Sequence, residues 1–330
     1  MKSLKGSSSQ VLNDTDSNHI SLHRFQDIDD LAVFLPEDVH LTPLECGPFR
    51  CESAVLNLGT IHFNFNHVSH SLQALGQKQR DFLSFSMILQ SSGQHGIESN
   101  RFITEDYLFG FDVNREADLI FPGGCTYCAV YIQPDTFEAC AQTMDRLELD
   151  NKFLSCNYAY MPDSFPSLRT YLKQIYDLLI QQSPLLQKPD FQQLIVQDFL
   201  PLFIASLPTQ PEHQTSAKFF RRSKLVKQAD DYMRSHMDQA LTLTDLCEAL
   251  GTSTRALCYG FQEMFGISPM AYLKILRLQS SYRVLKATTP GAKTVTDVAT
   301  QFGFYHLGYF AKDYRQMFGE LPSETLSRNK

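Results

Sequence analysis

Cysteine side chains are the residues of this sequence whose spacing comes nearest to metal or redox chemistry. Cys125 and Cys128 form a CxxC pair, and Cys46 and Cys51 form a wider CxxxxC pair. A structural zinc site takes four ligands, usually from two close pairs, and the second pair here is too wide for that pattern. Because Cys125 and Cys128 also lie beside an apolar strand with little charge nearby, we expect reduced thiols in a core or at its rim.

The histidines and the common catalytic motifs do not indicate an enzyme. His62, His67, His70 and His95 lack the HxH…E spacing of a metal-binding barrel. The sequence contains no Walker loop, no GxSxG motif and no HExxH motif. We therefore expect no catalytic residue, no metal and no cofactor.

Composition indicates a soluble globular protein with two domains. The chain has 330 residues, of which 43% are hydrophobic and 20% are charged, and single cores rarely grow beyond about 250 residues. No apolar run reaches the roughly 18 residues of a membrane span. The polar N-terminus has no apolar core of a signal peptide. These features predict a cytoplasmic protein with no membrane partner and a short disordered arm over residues 1–20.

Formal charge is divided unequally along the chain. Residues 1–217 contain 13 Lys or Arg and 26 Asp or Glu, whereas residues 218–330 contain 16 and 10. An acidic body followed by a basic segment favours an anionic partner for the C-terminal third. The segment opens with a basic run that either contacts such a partner or is solvated: Lys218, Arg221, Arg222, Lys224 and Lys227.

The basic segment contains a duplicated unit. Residues 243–247 match residues 295–299 at an offset of 52, and the phrase MFGISP at 264–269 matches MFGELP at 317–322 at an offset of 53. Apolar residues are kept where a core would require them, while the positions between them differ. Two copies form a pair of modules, since solenoid arrays need three or more units.

Each copy is typical of two short helices joined by a tight turn. Thr244 (Thr296 in the second copy) is predicted to cap the first helix, with an Asp next to it that the helix dipole favours. Gly251 ends that helix, and Ser253 caps a second helix whose apolar residues recur every four positions. The pattern predicts a helix-turn-helix in each copy.

A longer helix is predicted to connect the two modules. Ser268 at the cap and Pro269 at the first helical position open a helix of roughly 18 residues, about 27 Å long. Successive major-groove faces of B-DNA lie about 34 Å apart. A rod of this size suits two recognition helices that enter adjacent turns on one side of a duplex.

This segment resembles the DNA-binding domain of the AraC/XylS family of bacterial transcription regulators. The resemblance covers about 218–328, and the second copy, VTDVATQFGFYHLGYFAKDYRQMFGELPSETL, is similar to the family signature. The preceding part resembles the family's effector-binding and dimerisation half in layout. The resemblance implies double-stranded DNA, a small-molecule effector and RNA polymerase as partners, a homodimer, and an activator role.

The expected fold is α+β, with a cupin-like β-barrel and following helices before an all-α DNA-binding domain. Strand-like text over about 21–133 predicts the barrel, and apolar spacings of three and four over 134–207 predict the helices. Together 21–207 would form the effector-binding and dimerisation domain. The polar, proline-bearing segment 208–217 is the expected linker, and 218–330 the DNA-binding domain.

Residues near the start of the second helix in each module are expected to face DNA. In the first module these are Thr254, Arg255, Cys258 and Tyr259. In the second they are His306, Leu307, Gly308, Ala311, Lys312 and Arg315. Arg255 can pair with a guanine edge or a phosphate, and Tyr259 with a phosphate or a thymine methyl. The second module is expected to discriminate less, with Lys312 and Arg315 attracting phosphates.

A cavity in the barrel is the expected effector site. By strand alternation, its candidate lining residues are Phe63, Phe65, Phe82 and Phe85. Two other hypotheses stay open at the level of sequence. One is a DNA-alkylation-repair type of enzyme, with a zinc-held nucleophilic cysteine, fused to the same DNA-binding domain. The other is a regulator that senses redox state through Cys125 and Cys128.

Overall fold

The structure is a computed structural model in which the described residues form two compact units. They are residues 19–91, 93, 95–98, 101–210, 217–289 and 291–328. The first unit falls within Met1–Leu41 and Arg50–Gln214, and the second within Thr42–Phe49 and Thr215–Lys330. Of the predicted arm, only His19 and Ile20 are described, and they begin a strand. Residues 211–216 of the predicted linker lie outside the described residues.

Short strands make up most of the first half of the chain. They are β1 His19–Phe25, β2 Asp38–Pro43, β3 Cys51–Asn57, β4 Ile61–Val68, β5 Leu72–Gln77, β6 Leu83–Gln90, β7 Gly96–Glu98, β8 Arg101–Ile103, β9 Tyr107–Phe109, β10 Ala117–Phe121, β11 Cys125–Ile132 and β12 Tyr158–Tyr160. Helices intervene or follow as α1 Ile28–Phe34, α2 Pro134–Thr143, α3 Asn151–Leu154, α4 Phe165–Ile180, a 3-10 turn Pro184–Gln187, and α5 Pro189–Ser206.

The strands form two sheets that pair antiparallel. One has the order β1-β3-β4-β11-β6-β9-β12, and the other has the order β2-β5-β10-β7-β8. Within the described residues both sheets end in edge strands, so the expected barrel is not closed. A closed barrel needs continuous pairing around its circumference, and here each sheet has an end built from strands of only three residues.

The main core of the first unit lies between the seven-stranded sheet and helices α4 and α5. Phe63 on β4 packs edge-on against Phe199 of α5, with ring centroids 4.8 Å apart. Phe85 on β6 meets Phe203 in the same way, also at 4.8 Å. Helix α4 contributes the apolar stripe expected from its spacing. Its fully or nearly fully buried members include Leu168, Leu172, Ile175 and Leu179.

The second unit is helical in its described elements from residue 217 onward. They are α6 Ala217–Ser235, α7 Leu243–Ala249, α8 Thr254–Phe265, α9 Pro269–Ala287, α10 Val295–Gln301, α11 Leu307–Phe318 and α12 Pro322–Ser327. The pairs α7–α8 and α10–α11 are the two predicted helix-turn-helix modules. No helix among the described residues is both long and apolar enough to span a membrane.

The first helix of each module begins two residues earlier than the sequence predicted. Thr242, and not Thr244, caps α7: its hydroxyl accepts from the Asp245 amide at 3.2 Å, and its own amide donates to Asp245 Oδ2 at 2.8 Å. Thr294 and Asp297 repeat this capping box at the start of α10. The reciprocal pair satisfies two backbone donors at once, so it outcompetes a cap at Thr244 with Asp at N1.

The repeated MFG phrase ends the second helix of each module, as predicted. Gly266 closes α8 with φ of +70°, and Gly319 closes α11 with φ of +78°. Both are in the left-handed region, where glycine carries no steric penalty. Ser268 then caps the 19-residue α9, with Pro269 at its first turn, which confirms the connecting helix. After Gly319 the chain forms the short α12.

Close packing and a buried polar cluster hold α6, α8 and α9 together. A Cβ on Gly260 of α8 would lie 2.8 Å from Val226 Cγ2 of α6, so this contact requires glycine. Tyr272 of α9 donates to Asp230 Oδ1 at 2.8 Å, and Arg234 Nε donates to the same oxygen at 2.8 Å. Burial raises the pKa of Asp230, which shows that this carboxylate depends on its partners.

Candidate functional site

The start of α8 presents polar side chains on the face opposite its core contacts. Leu257 and Phe261 are fully buried, whereas Thr254 and Arg255 are exposed. Ser253 caps the helix by accepting from the Ala256 amide, as predicted. The capped N-terminus therefore aims its first turn at solvent, which is how a recognition helix meets base edges.

The remaining two residues proposed for the first module differ in exposure. Cys258 is half-buried, and Tyr259 is 57% exposed. The Tyr259 ring lies under the Arg222 guanidinium at 4.7 Å, and Arg222 forms an ion pair with Glu263 at 2.5 Å. Arg222 is thus paired within the second unit and contacts Tyr259, and a contact of the basic run with DNA stays a prediction.

The start of α11 is exposed in the same pattern as that of α8. His306, Leu307 and Gly308 are all exposed, and a Cβ built on Gly308 would meet nothing within 4 Å. Ala311 is half-buried, while Phe310 on the inner face is 1% exposed. The residues of α11 predicted to face outward are therefore exposed, except for Ala311, which is half-buried.

Two exposed aromatic residues of the second module were missed by the sequence reasoning. Tyr305 precedes α11 and is 66% exposed, and Tyr309 in its first turn is 72% exposed. His306 meets Tyr309 edge-on with ring centroids 6.2 Å apart. Their place in the sequence could have indicated this exposure. Each tyrosine is next to an inner phenylalanine, Phe304 or Phe310, and therefore faces away from the core.

The cations proposed to face DNA differ from other cations of the second unit. Among the described residues, the exposed side chains of Arg255, Lys312 and Arg315 have no hydrogen-bond or ion-pair partner. In contrast, Arg234 is committed to Asp230, and Arg277 donates to the backbone carbonyl of Met237 at 3.1 Å. Unpartnered cations at recognition-helix positions suit a polyanionic partner.

Comparison with known proteins agrees with this geometry. A family model described as a helix-turn-helix domain matches residues 246–328. The XylDLEGF operon transcriptional activator 2 of Pseudomonas putida is 32% identical over 124 residues, which are 38% of this chain and 79% of that protein. The chain belongs to the AraC/XylS family of transcription regulators.

Other members of the AraC/XylS family match over a similar segment. The probable thc operon regulatory protein of Rhodococcus erythropolis is 36% identical over 127 residues, and the match covers 37% of this chain but only 38% of that protein. The crystal structure of a probable AraC family transcriptional regulator from Rhodopseudomonas palustris CGA009 is 41% identical, with a TM-score of 0.30. That match covers 32% of this chain and 98% of the other.

In this AraC/XylS-family chain, the cysteines of β3 and β11 do not lie close enough together to form disulfides. Cys125 and Cys128 lie three positions apart on β11 and so project to opposite faces of the sheet. Cys51 and Cys125 both pair with Val68 from opposite sides, which separates them by two strand spacings. Cys125 can therefore form a disulfide with neither Cys128 nor Cys51 without backbone movement. The geometry therefore does not support the redox-sensor hypothesis.

Burial also makes these thiols poor nucleophiles. It raises the pKa of Cys51 and of Cys125 to about 12, and that of Cys128 well above its ordinary value. Within the described part of the chain, no three His, Cys, Asp or Glu side chains are grouped to hold a metal ion. An alkylation-repair enzyme would need a zinc-held cysteine, and these residues do not provide a site for one.

The first unit of this regulator encloses a cavity of about 50 Å³ between its two sheets. The seven-stranded sheet contributes a polar wall of Asn64, Asn66, Ser84, Ser86, Tyr127 and Tyr131, with Ala129 among them. The five-stranded sheet contributes an apolar wall of Val39, Leu41, Leu72, Ala74, Ala117, Leu119 and Phe121. The cavity is therefore amphipathic, with one wall able to form hydrogen bonds.

Two ionisable side chains, Glu37 and Lys78, also line the cavity. Tyr131 donates to Glu37 Oε1 at 2.5 Å, and burial raises the pKa of Glu37. Lys78 donates to Asn157 Oδ1 at 2.8 Å, and burial lowers its pKa to about 8 despite nearby carboxylates. Both groups are costly to charge in this setting, so a ligand that hydrogen-bonds to them would offset part of that cost.

The four phenylalanines expected to line the cavity lie elsewhere. Phe63, Phe65 and Phe85 face α4 and α5 in the main core. Phe82 packs against Ala129 and Tyr131, next to the cavity but not at its wall. Residues on β4 alternate as predicted, but the helices cover the aromatic face. The polar residues between the phenylalanines face the space between the sheets. These four phenylalanines therefore do not line the cavity.

Proposed function

We propose that this chain is a small-molecule-responsive transcription activator that reads DNA with both helix-turn-helix modules. The observation that carries the proposal is the pairing of two like modules, each with an exposed recognition-helix start and unpartnered cations. The activator role is supported by the similarity to the XylDLEGF operon transcriptional activator 2 of Pseudomonas putida. Residues 218–330 would form the DNA-binding domain, and the connecting helix α9 would set the spacing of the modules.

The remaining parts of the proposal concern the first unit. Residues 21–207 would form the effector-binding and dimerisation domain, a cupin-like arrangement in which the amphipathic cavity binds the effector. We propose a small molecule with an apolar side for the five-stranded sheet and a polar edge for Tyr131, Glu37 and Lys78. The protein would act in the cytoplasm as a homodimer, and RNA polymerase would be its partner in activation.

A gel-shift experiment tests DNA binding. The full chain is incubated with a random-sequence duplex library, and bound molecules are recovered and sequenced over several rounds. We expect enrichment of a common site, with affinity that falls as salt rises because lysines and arginines displace counterions from the phosphates. Recovery of unenriched library, with no salt-dependent binding, would contradict the proposal.

A thermal-shift screen tests the effector site. Small amphipathic molecules are added to the full chain, because a ligand that binds only the folded state raises its melting temperature. A molecule that stabilises the wild-type protein should lose that effect in Lys78→Met and keep it in Lys173→Met, a control outside the cavity. Equal stabilisation of both variants would show that the molecule binds elsewhere.

A further inference from the structure

Exposed apolar side chains in the second unit are concentrated at the DNA-facing helices. Among the described residues of that unit, the large apolar side chains that are exposed are Tyr259, Tyr305, Leu307 and Tyr309. Three of them fall within five consecutive residues at the start of α11. An exposed apolar group gains free energy only when a partner covers it, so this concentration marks a contact surface.

The segment 305–309 has the shape and chemistry of a groove-reading element. All five residues are exposed, and none carries an amide or a carboxylate; the groups that can hydrogen-bond are the His306 imidazole and the two tyrosine hydroxyls. Gly308 leaves the first turn open, since a Cβ there would meet nothing within 4 Å. The two tyrosines and Leu307 can therefore approach a surface closely without obstruction.

The major groove of B-DNA displays one apolar group, the C5-methyl of thymine. We propose that the second module reads thymine, through contacts of Tyr305, Leu307 and Tyr309 with thymine methyls in the major groove. This inference rests on the proposed DNA-binding function and names what one module recognises. It also gives the two modules different base preferences, because Arg255 gives the first module a side chain suited to guanine.

The same helix argues for DNA over a protein as the occupant of this surface. Lys312 and Arg315 follow on α11, exposed and without partners among the described residues. An apolar start flanked by two free cations matches a groove floor with methyl groups between phosphate strands. A protein partner seated on the same residues would prevent this recognition helix from entering the groove.

Replacement of thymine by deoxyuridine provides the test, since it removes the methyl group and leaves every hydrogen-bonding group in place. A duplex recovered by selection is synthesised with each thymine replaced in turn, and its affinity for the full chain is measured by fluorescence anisotropy. We expect affinity to fall about fourfold for each contacted methyl, the effect of about one buried methylene. Replacements outside the second module's half of the site should have no effect that Leu307→Ala or Tyr309→Ala removes.

Variants assign the effect to residues. Leu307→Ala and Tyr309→Ala should each lose the discrimination between thymine and deoxyuridine at the base that the substituted side chain contacts, whereas Lys312→Ala should weaken binding to both duplexes by the same factor. Wild-type binding that no replacement alters would overturn the inference while leaving DNA binding intact. So would a Tyr309→Ala variant that loses activation but keeps thymine discrimination, which would indicate a protein partner. No DNA binding at all would overturn the proposed function and this inference together.

Discussion

Arg255 and Lys312 show how differently two cations on equivalent helices are placed. Arg255 is in the first turn of α8, two residues after the capping Ser253, whereas Lys312 is more than one turn into α11. A planar guanidinium near the helix start can form two hydrogen bonds to one guanine, but an ammonium further along acts as a point charge near phosphates. We therefore expect the two residues to affect specificity and affinity separately.

Substitution of these residues tests that separation. Arg255→Ala should cost about 1–3 kcal/mol on the selected site and should relax the preference for one base pair. Lys312→Ala should weaken binding to all duplexes alike and lower the salt dependence by about one phosphate contact. Selection experiments and salt titrations with each variant measure both effects. An unchanged base preference in Arg255→Ala would assign Arg255 to the phosphates.

The buried thiols of the first unit make a second prediction at residue scale. Burial raises the pKa of Cys125 to about 12, while an unfolded thiol ionises near 8.5. The folded state therefore keeps a proton that the unfolded state releases. The stability linked to this group is complete below about pH 8.5 and is lost as pH rises toward 12.

The expected result is a falling free energy of unfolding between pH 8 and 10, by about 2 kcal/mol for each such thiol. Cys125→Ser removes the ionising group and should reduce the slope by that amount, even if the variant is less stable overall. Denaturant titrations across the pH range give the slope. Cys46→Ser serves as the comparison: Cys46 is exposed and burial raises its pKa less than that of Cys125, so this substitution should reduce the slope less. A slope unaffected by Cys125→Ser would contradict the assignment.

At the scale of elements, the sequence predicted the helical unit far better than the sheets. Two copies of one pattern can be compared with each other, so the glycine ends and the proline starts of the helices were recognisable without a structure. The cap was misplaced because both Thr242 and Thr244 precede an Asp. Only the structure shows that the Thr242 amide donates to Asp245 Oδ2, which identifies Thr242 as the cap. The cavity wall was misplaced because alternation gives two faces but does not say which face the helices cover.

The two candidate caps allow a matched test in the second copy. Thr294 accepts from the Asp297 amide at 3.1 Å, whereas Thr296 is an exposed residue within α10. Thr294→Ala should destabilise the protein by about 1 kcal/mol, because an N-cap hydrogen bond is lost. Thr296→Ala should change stability by less than about 0.5 kcal/mol. Denaturant unfolding measures both, and equal effects would contradict the capping box.

At the scale of the whole molecule, the proposed function assigns different kinds of recognition to the two units. The second unit displays its recognition residues on exposed helix starts, where polar contacts with a polyanion are strong but screened by salt. The first unit places its polar groups inside, around Glu37 and Lys78, where burial makes each hydrogen bond matter more. A regulator that responds to a small molecule needs both, since the effector must act on one unit and DNA on the other.

Filling the cavity separates the two functions within the full chain. Ala129 lies on the polar wall and is 6% exposed, so Ala129→Leu should occupy space that the effector needs. We expect the variant to bind the selected DNA as the wild type does but to lose its thermal shift and its activation by the effector. Overpacking should cost about 1–3 kcal/mol, which unfolding measurements can detect.

A second variant controls for that cost. Ala141 is 5% exposed and lies in the main core, away from the cavity wall. Ala141→Leu should therefore be destabilised to a similar degree while keeping its response to the effector. Because the two variants share the same change in volume, only the position of the added side chain distinguishes them. If Ala129→Leu responds to the effector as Ala141→Leu does, the effector binds outside the space between the sheets.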